Sequence, residues 1–436
     1  MKIQWSDSCP SDTVTLNTEA LPSSLRSSKQ VTVCIGGLKK ELQIVSNFTL
    51  SQNVMILPRS MKNGYSIPED LEFDVSFEDS LIILGPTILL IVPEYYPEIT
   101  DKLLQLCEAH IKKKKHFKGL FYVCRSSDIN IETKSIQGYC FFPHKDQTKR
   151  WIKGVFPYPQ AVFNRTRKLA PAILNSLKNE IGNTLFNSDF VGKWKQYQLF
   201  SQNQLLRQHL PETRNLTNSR VVVDMLKKYG AVYLKPHNSA NGQGIFHLSK
   251  VEHGYLLKDT KNKSLQFSNL KMVSQYFNAH KLRSYYLVQQ PVPFQHNNRN
   301  VDFRFYMQKD NSKEWTSPGF TTKVSTENSI NTNFSNRETL LEGKKALVYL
   351  YGIDPVHAQE KAKEMFTICK EACERVEKEG IHLGDVAFDL IVDQQHKIWI
   401  LELQVRYGRE GSLKRNMYIK NMTNPIEYAK ALAGFK

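Results

Sequence analysis

The chain has 436 residues, with 59 lysines and arginines against 42 aspartates and glutamates and a net charge of +17. At 41% hydrophobic and 11% aromatic it is a globular sequence long enough for two or three domains, which excludes a disordered tail or a low-complexity linker. The basic balance attracts polyanions, but the charge is dispersed and no nucleic-acid module signature is visible, so nucleic acid is not the expected partner.

The dense run Lys112 to Lys115 is expected to decorate a helix end, where cations favour the dipole. No apolar run reaches the roughly 18 residues that span a bilayer. The N-terminal MKIQWSDSCPSD has no apolar core of signal-peptide type, so a cytoplasmic protein is expected. The 7 cysteines are scattered without a CxxC pair and read as reduced, buried thiols.

In chain order, residues 1–92 read as a small β domain, with strand-like runs at 31–35, 41–45, 54–57, 73–77, 80–84 and 88–92 broken by Gly36-Gly37, Asn63-Gly64 and Gly85-Pro86. Residues 93–192 alternate helix and strand, an α/β layer. Residues 193–436 form the last unit. An amphipathic helix follows Lys193-Trp194, and a short helix over 220–229 is capped by Asn218 or Ser219 and stopped at Gly230. Residues 245–278 return through charged, turn-rich sequence to a strand at 285–290 ended by Pro291. A hairpin is expected over 301–325. The clearest helix spans 355–380, with Asp354 as cap, Pro355 in the first turn and an apolar stripe through Met365, Cys369, Cys373 and Val376.

Two stretches carry chemistry. AVYLKPHNSANGQGIFHL, residues 231–248, reads as strand, glycine loop, strand. Gly242 and Gly244 permit φ > 0 and close backbone approach, so the loop's N–H groups can converge on an anion while Lys235 adds a point charge. The competing reading is a plain β-hairpin that uses Asn241-Gly242 for turn geometry. In GDVAFDLIVDQQHKIWILELQVRYG, residues 384–408, Asp389 precedes Glu402 by 13 positions and Gln404 follows two later, so Asp389 can lie opposite them across a hairpin. Carboxylates in runs so apolar need a cation, either a magnesium-type ion or a lysine or arginine in a salt bridge.

The order of these stretches, together with LGPTILLIV, FPYPQAVFNR, GKWKQYQLF, LPETRNLT and VDFRFYMQKD, resembles the ATP-grasp ligases, and within them the YheC/YheD group of endospore coat-associated proteins. The resemblance implies an α+β ATP-grasp fold. Two subdomains, about 213–290 with the glycine-rich loop and about 291–436 with the metal ligands, would grip a nucleotide, preceded by the small β domain and an α/β pre-ATP-grasp region.

It also implies roles for particular residues. Lys193 and Lys235 would lie on the phosphates of ATP, with Asn238, Ser239, Gly242 and Gly244 in the closing loop. Gln289, Gln290 and Val292 would form the adenine hinge and Asp302 would hold the ribose. Arg304 would point to the phosphates, Asn333 would stand near the acceptor, and Asp389, Glu402 and Gln404 would ligate Mg²⁺. Gln404 stands where Asn is usual, Asn331 where Arg is common, Lys323 where the group has Arg, and Gln160 where it has Asp.

The implied activity is an ATP- and Mg²⁺-dependent carboxylate–amine ligation through an acyl phosphate. The alternative is a spore- or envelope-associated scaffold that binds nucleotide without ligating. The basic balance points to an acidic acceptor such as a peptide or wall precursor, and the resemblance implies association with the forming spore. Neither the carboxylate, the nucleophile nor the oligomeric state is legible.

Overall fold

The computed structural model describes residues 1–436 except 63, 70, 112–116, 144–145, 147–149, 239–241, 281–284, 409–414 and 436, and the side chain of Phe334. The lysine run at 112–115 and Ser239 therefore lie outside the described residues.

Four sheets follow one another along the chain. The first is mixed, and its order runs Lys2–Ser6, Val54–Pro58, Thr13–Leu16, Leu38–Ser46, Gln30–Ile35, Leu81–Gly85, Asp74–Glu78. The second is built on Thr87–Ile91, which pairs in parallel with Leu120–Cys124 on one side and Ala161–Asn164 on the other. Residues 88–92, expected to end the N-terminal β region, thus belong to the middle of the second sheet. The physical reason is visible in the sequence of that strand: TILLI does not alternate, and it is buried on both faces, as central parallel strands are. Leu89 and Ile91 face the first sheet and share its core with Ile82 and Leu84. Ile88 and Leu90 face the other way, against Ile426, Tyr428 and Ala429 of the C-terminal helix Arg415–Leu432.

The third sheet is antiparallel, in the order Thr213–Asn215, Tyr286–Gln289, Ala231–Pro236, Phe246–Val251, Gly254–Asp259, Ser264–Phe267. The helix Ser219–Tyr229 covers one face. Asn218 caps it through an accepted bond from Arg220 N, and Gly230 ends it at φ 72°. The helix Leu270–Ala279, capped by Asn269, covers the same face. Val222, Met225, Leu226, Val273 and Phe277 from these helices meet Val232, Leu234, Leu248 and Val288 of the sheet. Because side chains alternate along a strand, Tyr233 and Lys235 point away from that core.

The fourth sheet runs Arg337–Glu342, Trp315–Ser325, Arg299–Lys309, Asp385–Val392, Ile398–Gln404. Its core face carries Val301, Phe303, Phe305, Val386, Phe388 and Leu390 against the helix Pro355–Glu377, capped by Asp354 as its sequence requires. The opposite face carries Asp302, Arg304, Lys323, Asp389, Glu402 and Gln404. The third and fourth sheets thus each reserve one face for a helical layer and leave the other for a polar cleft. Among the described residues no helix is long and apolar enough to cross a membrane.

Candidate functional site

The charged face of the fourth sheet is set by register. Asp302 pairs with Lys323 across one hairpin, Arg304 with Asp389 across the adjoining strands, and Asp389 with Glu402 across the terminal hairpin. The last pairing depends on a bulge. Asp389 is opposite Glu402 but Leu390 is opposite Ile400, so Leu401 is extra. Ile398 and Ile400 face the core, as do Leu403 and Val405; the inserted residue changes the parity and turns Glu402 and Gln404 to the cleft beside Asp389.

On that face Asp389 is held tightly. Arg304 grips it with two bonds, Nε to Oδ1 at 3.0 Å and Nη2 to Oδ2 at 3.1 Å. Lys323 reaches Oδ1 at 3.2 Å, and Gln404 Nε2 donates to Oδ2 at 2.7 Å. Burial alone would raise the Asp389 pKa, but the Arg304 and Lys323 charges more than offset it and hold the carboxyl well below its ordinary value. Asp302 pairs with Lys323 at 2.9 Å and accepts a bond from the Thr332 hydroxyl. Lys323, which the sequence marks only as a departure, is therefore the cation shared by two carboxylates.

Glu402 pairs with Lys193 at 3.1 Å. Lys193 opens the helix Lys193–Ser201, and Gln196, one turn on, fixes that helix to the sheet edge. Gln196 Nε2 donates to Leu403 O at 2.8 Å, while Leu403 N donates to Gln196 Oε1 at 2.9 Å. The edge strand's free backbone groups are thus satisfied, and the lysine is aimed at the glutamate.

Lys235 differs from every other cation here. Its ammonium donates to Gln289 Oε1 at 2.5 Å and, among the described residues, has no carboxylate within ion-pair distance. Gln289 is fixed in turn by a bond from its Nε2 to Thr213 Oγ1 at 3.0 Å. Burial first, and the nearby Lys193 charge second, lower the Lys235 pKa to about 8, against the pull of Glu402, Asp389 and Asp302. Lys235 thus lies within electrostatic reach of Lys193, Glu402, Asp389 and Asp302. Lys193, Lys235, Gln289 and Thr213 also line one pocket with the apolar side chains of Tyr197, Phe200, Leu210, Leu287, Ile400 and Leu401. The slot thus joins an apolar lining to an ammonium that has no carboxylate within ion-pair distance among the described residues, the combination of side-chain chemistry that a base joined to an anion would need.

After Lys235 the loop runs through Gly242 and Gly244, each at φ +72°, a conformation that side chains rarely adopt. A Cβ on Gly242 would overlap Asn333 Nδ2 at 1.5 Å and approach Asn331 Nδ2 at 3.1 Å, so the loop lies against the segment that carries both asparagines. Asn331 Nδ2 is buried with no partner among the described residues, while its Oδ1 accepts from Asn336 at 2.9 Å. Asn238, at the loop's other end, lies beside Gly192.

The structure thus gathers Lys193, Lys235, Gln289, Asp302, Arg304, Asp389, Glu402 and Gln404 in one cleft, with Asn238, Gly242, Gly244 and Asn333 at its rim. Two hinge positions are otherwise engaged. Gln290 N donates to Glu212 O at 2.8 Å and its side chain accepts from Glu212 N at 3.0 Å, while Val292 is buried. Arg304, expected to point at phosphates, is committed to Asp389, and Asp302, expected at a ribose, is committed to Lys323 and Thr332. Lys323, Gln196, Thr213 and Thr332 escaped sequence reasoning as site residues; the signal for Lys323 is its register opposite Asp302.

The oxygen donors of Asp389, Glu402 and Gln404 on one face are of the hard type that magnesium takes. Among the described residues no group of three or more His, Cys, Asp or Glu side chains is placed to hold a metal by itself. An ion here has to share its coordination with oxygens of a ligand, which the two carboxylates and one amide suit.

A model of a family described as YheC/D-like ATP-grasp matches residues 182–432. The chain is 25% identical over 443 residues to the endospore coat-associated protein YheD of Bacillus subtilis (strain 168), covering 97% of this chain and 95% of that protein. It is 22% identical over 241 residues to the endospore coat-associated protein YheC of the same organism, covering 52% of this chain and 64% of that protein. Among solved structures it is similar to the VanG D-Ala:D-Ser ligase from Enterococcus faecalis, with a TM-score of 0.46 and 10% identity over 80% of this chain and 98% of that one. The family match spans the cleft from Lys193 to Gln404, and the chain belongs to the YheC/D-like ATP-grasp family.

Proposed function

We propose that the cleft binds Mg²⁺–ATP and that the protein is a carboxylate–amine ligase. The observation that carries this reading is Lys235, a half-buried ammonium with an amide for its only hydrogen-bond partner among the described residues, in the same cleft as Asp389 and Glu402. Drawing a cation out of water with no carboxylate partner among the described residues is costly, and a phosphate oxygen is a ligand that relieves it.

In this reading Lys193 and Lys235 hold the phosphates and the apolar slot beside Gln289 takes the base. Asn333 and the buried Asn331 amide face the loop that shuts over the ligand. Glu402 and Gln404, with Asp389 once a cation is drawn off it, would hold magnesium, which neutralises phosphate charge. In the overall reaction a carboxylate oxygen bonds to the γ-phosphorus and ADP leaves. An amine nitrogen then bonds to the acyl carbon, phosphate leaves, and the amine loses a proton. The chain's own contribution is to align these groups, neutralise their charge and exclude water. The names of the relatives extend the proposal to a role in spore formation.

Purified protein with Mg²⁺–ATP and pooled carboxylates and amines should release ADP in a substrate-dependent way. Glu402→Ala should reduce that release by at least about a hundredfold. The saturation of Asp389 by Arg304, Lys323 and Gln404 favours a second reading, a nucleotide-binding scaffold without ligation. Tight nucleotide binding with no ADP release that Glu402→Ala lowers would select the scaffold.

A further inference from the structure

Lys235, Gln289 and Thr213 stand on three neighbouring strands of the third sheet, and one run of hydrogen bonds joins them. In the register of that sheet Gln289 lies opposite Thr213 on one side and Tyr233 on the other. The run starts at a backbone carbonyl. Thr213 Oγ1 donates its one proton to Pro211 O at 2.9 Å, so toward Gln289 it can only accept. Gln289 Nε2 donates to it at 3.0 Å, which leaves Oε1, the other end of the amide, to accept from the Lys235 ammonium at 2.5 Å. Thr213 is 4% exposed and Gln289 8%, so these bonds are made largely out of water.

The direction of that run decides what Lys235 meets. An ammonium has protons to give and accepts none, and an amide oxygen holds one of them without neutralising the charge. Were the Gln289 amide reversed, its NH₂ would face the ammonium and its oxygen the Thr213 lone pairs. The charges around Lys235 come from other elements. Lys193 opens the helix Lys193–Ser201, and Asp302, Asp389 and Glu402 belong to the fourth sheet, where they pair with Lys323, Arg304 and Lys193. On the third sheet the Tyr233 ring lies 5.6 Å from the ammonium and the His247 ring 4.8 Å from that of Tyr233, while Glu212 and Arg214, which flank Thr213, pair with each other at 2.5 Å.

We propose that Gln289 and Thr213 are positioning residues for Lys235: Thr213 sets the direction of the Gln289 amide, and the amide holds the ammonium at one point of the cleft while leaving its charge to the ligand. The inference rests on the Mg²⁺–ATP reading for the identity of that ligand and adds to it two residues that act on the nucleotide through the lysine. A glutamate at 289 has the same shape and the opposite effect. It neutralises Lys235 and sets an acceptor against Thr213 Oγ1, which can meet it only by withdrawing its proton from Pro211 O. A valine at 213 keeps the volume of the threonine but removes the acceptor, so nothing orients the amide.

The test uses the full chain and two readouts: affinity for Mg²⁺–AMPPNP, from displacement of a fluorescent ATP analogue, and acetylation of Lys235 by acetic anhydride against pH without nucleotide or Mg²⁺, followed by mass spectrometry. Thr213→Val should weaken AMPPNP about three- to tenfold, and Thr213→Ser should restore it to within about twofold of the wild type. In a Lys235→Met background the same Thr213→Val should cost no more than about twofold. An equal cost in the two backgrounds overturns the proposal, because Thr213 then acts without the lysine. Gln289→Glu should raise the midpoint of Lys235 acetylation by about one pH unit or more, and an unmoved midpoint overturns the proposal as well. If Gln289→Glu fails to fold, the Thr213 cycle decides; if Thr213→Val fails to fold, the midpoint decides. A raised midpoint in a protein that binds no AMPPNP keeps the positioning pair and removes the ATP reading. AMPPNP binding with an equal cost in the two backgrounds removes the pair and keeps the ATP reading.

Discussion

The third and fourth sheets face the same cleft, and they carry charge in opposite ways. On the fourth, Asp389 is bonded by Arg304, Lys323 and Gln404, Asp302 by Lys323 and Thr332, and Glu402 by Lys193. On the third, Lys235 has Gln289 and, among the described residues, no carboxylate. One wall is electrostatically complete, and the other is complete only when an anion arrives. In the proposed reading, the difference separates residues that build the cleft from a residue left for the ligand to neutralise.

That contrast breaks most easily at Asp389. Asp389→Ala leaves Arg304 and Lys323 buried with their shared counter-ion gone, and urea denaturation should show a loss of roughly 3–5 kcal/mol. A loss under about 1 kcal/mol would mean the cations relax to water and the wall is not a closed network.

The opposite wall should respond through binding and hardly through stability. Lys235→Met should weaken a fluorescent ATP analogue by about 10- to 100-fold, with no fall in melting temperature. Below pH of about 8 this lysine is charged in both the folded and the unfolded chain, and its burial destabilises the fold in full. Between about 8 and the ordinary value of 10.5 the folded chain releases the proton first, so that destabilisation lifts. Nucleotide binding runs the other way and should weaken as pH rises through about 8. Affinity that stays flat from pH 7 to 9.5 in the wild type, or that falls equally in Lys235→Arg, would remove Lys235 from the phosphates.

The smallest effect is expected where the two walls touch. Gly242→Ala adds a methyl against Asn333 at φ +72°, a local strain of about 1 kcal/mol. It should speed amide exchange in the loop and slow any turnover while global unfolding stays unchanged. An unchanged exchange rate would show that the loop does not rest on Asn333.

Much of this was legible in the sequence. The helix Pro355–Glu377 announces itself by Asp354, Pro355 and a full stripe, and the terminal hairpin that carries Asp389 and Glu402 is legible too, although their pairing needs the bulge at Leu401, which regular spacing does not supply. The region around 254–279 was not legible. The strands Gly254–Asp259 and Ser264–Phe267 are largely unburied and carry polar residues that read as a turn-rich return, while the helix Leu270–Ala279 buries only Val273 and Phe277. The C-terminal helix hides for another reason: Pro425 lies inside it, and it buries Asn421 and Lys430 along with its apolar residues. Lys323 needed the register of a hairpin joined through 310–314, which composition does not specify.

The bulge at Leu401 has a consequence that no substitution at Glu402 would reveal. Whether that glutamate is solvated chemistry or a misplaced charge among isoleucines is decided by a count of backbone units between two rungs of a ladder. A regular ladder running through Leu401 would preserve every acidic side chain in the protein and still turn Glu402 out of the cleft, whereas deleting Leu401 would remove the bulge and leave Asp389 opposite Glu402.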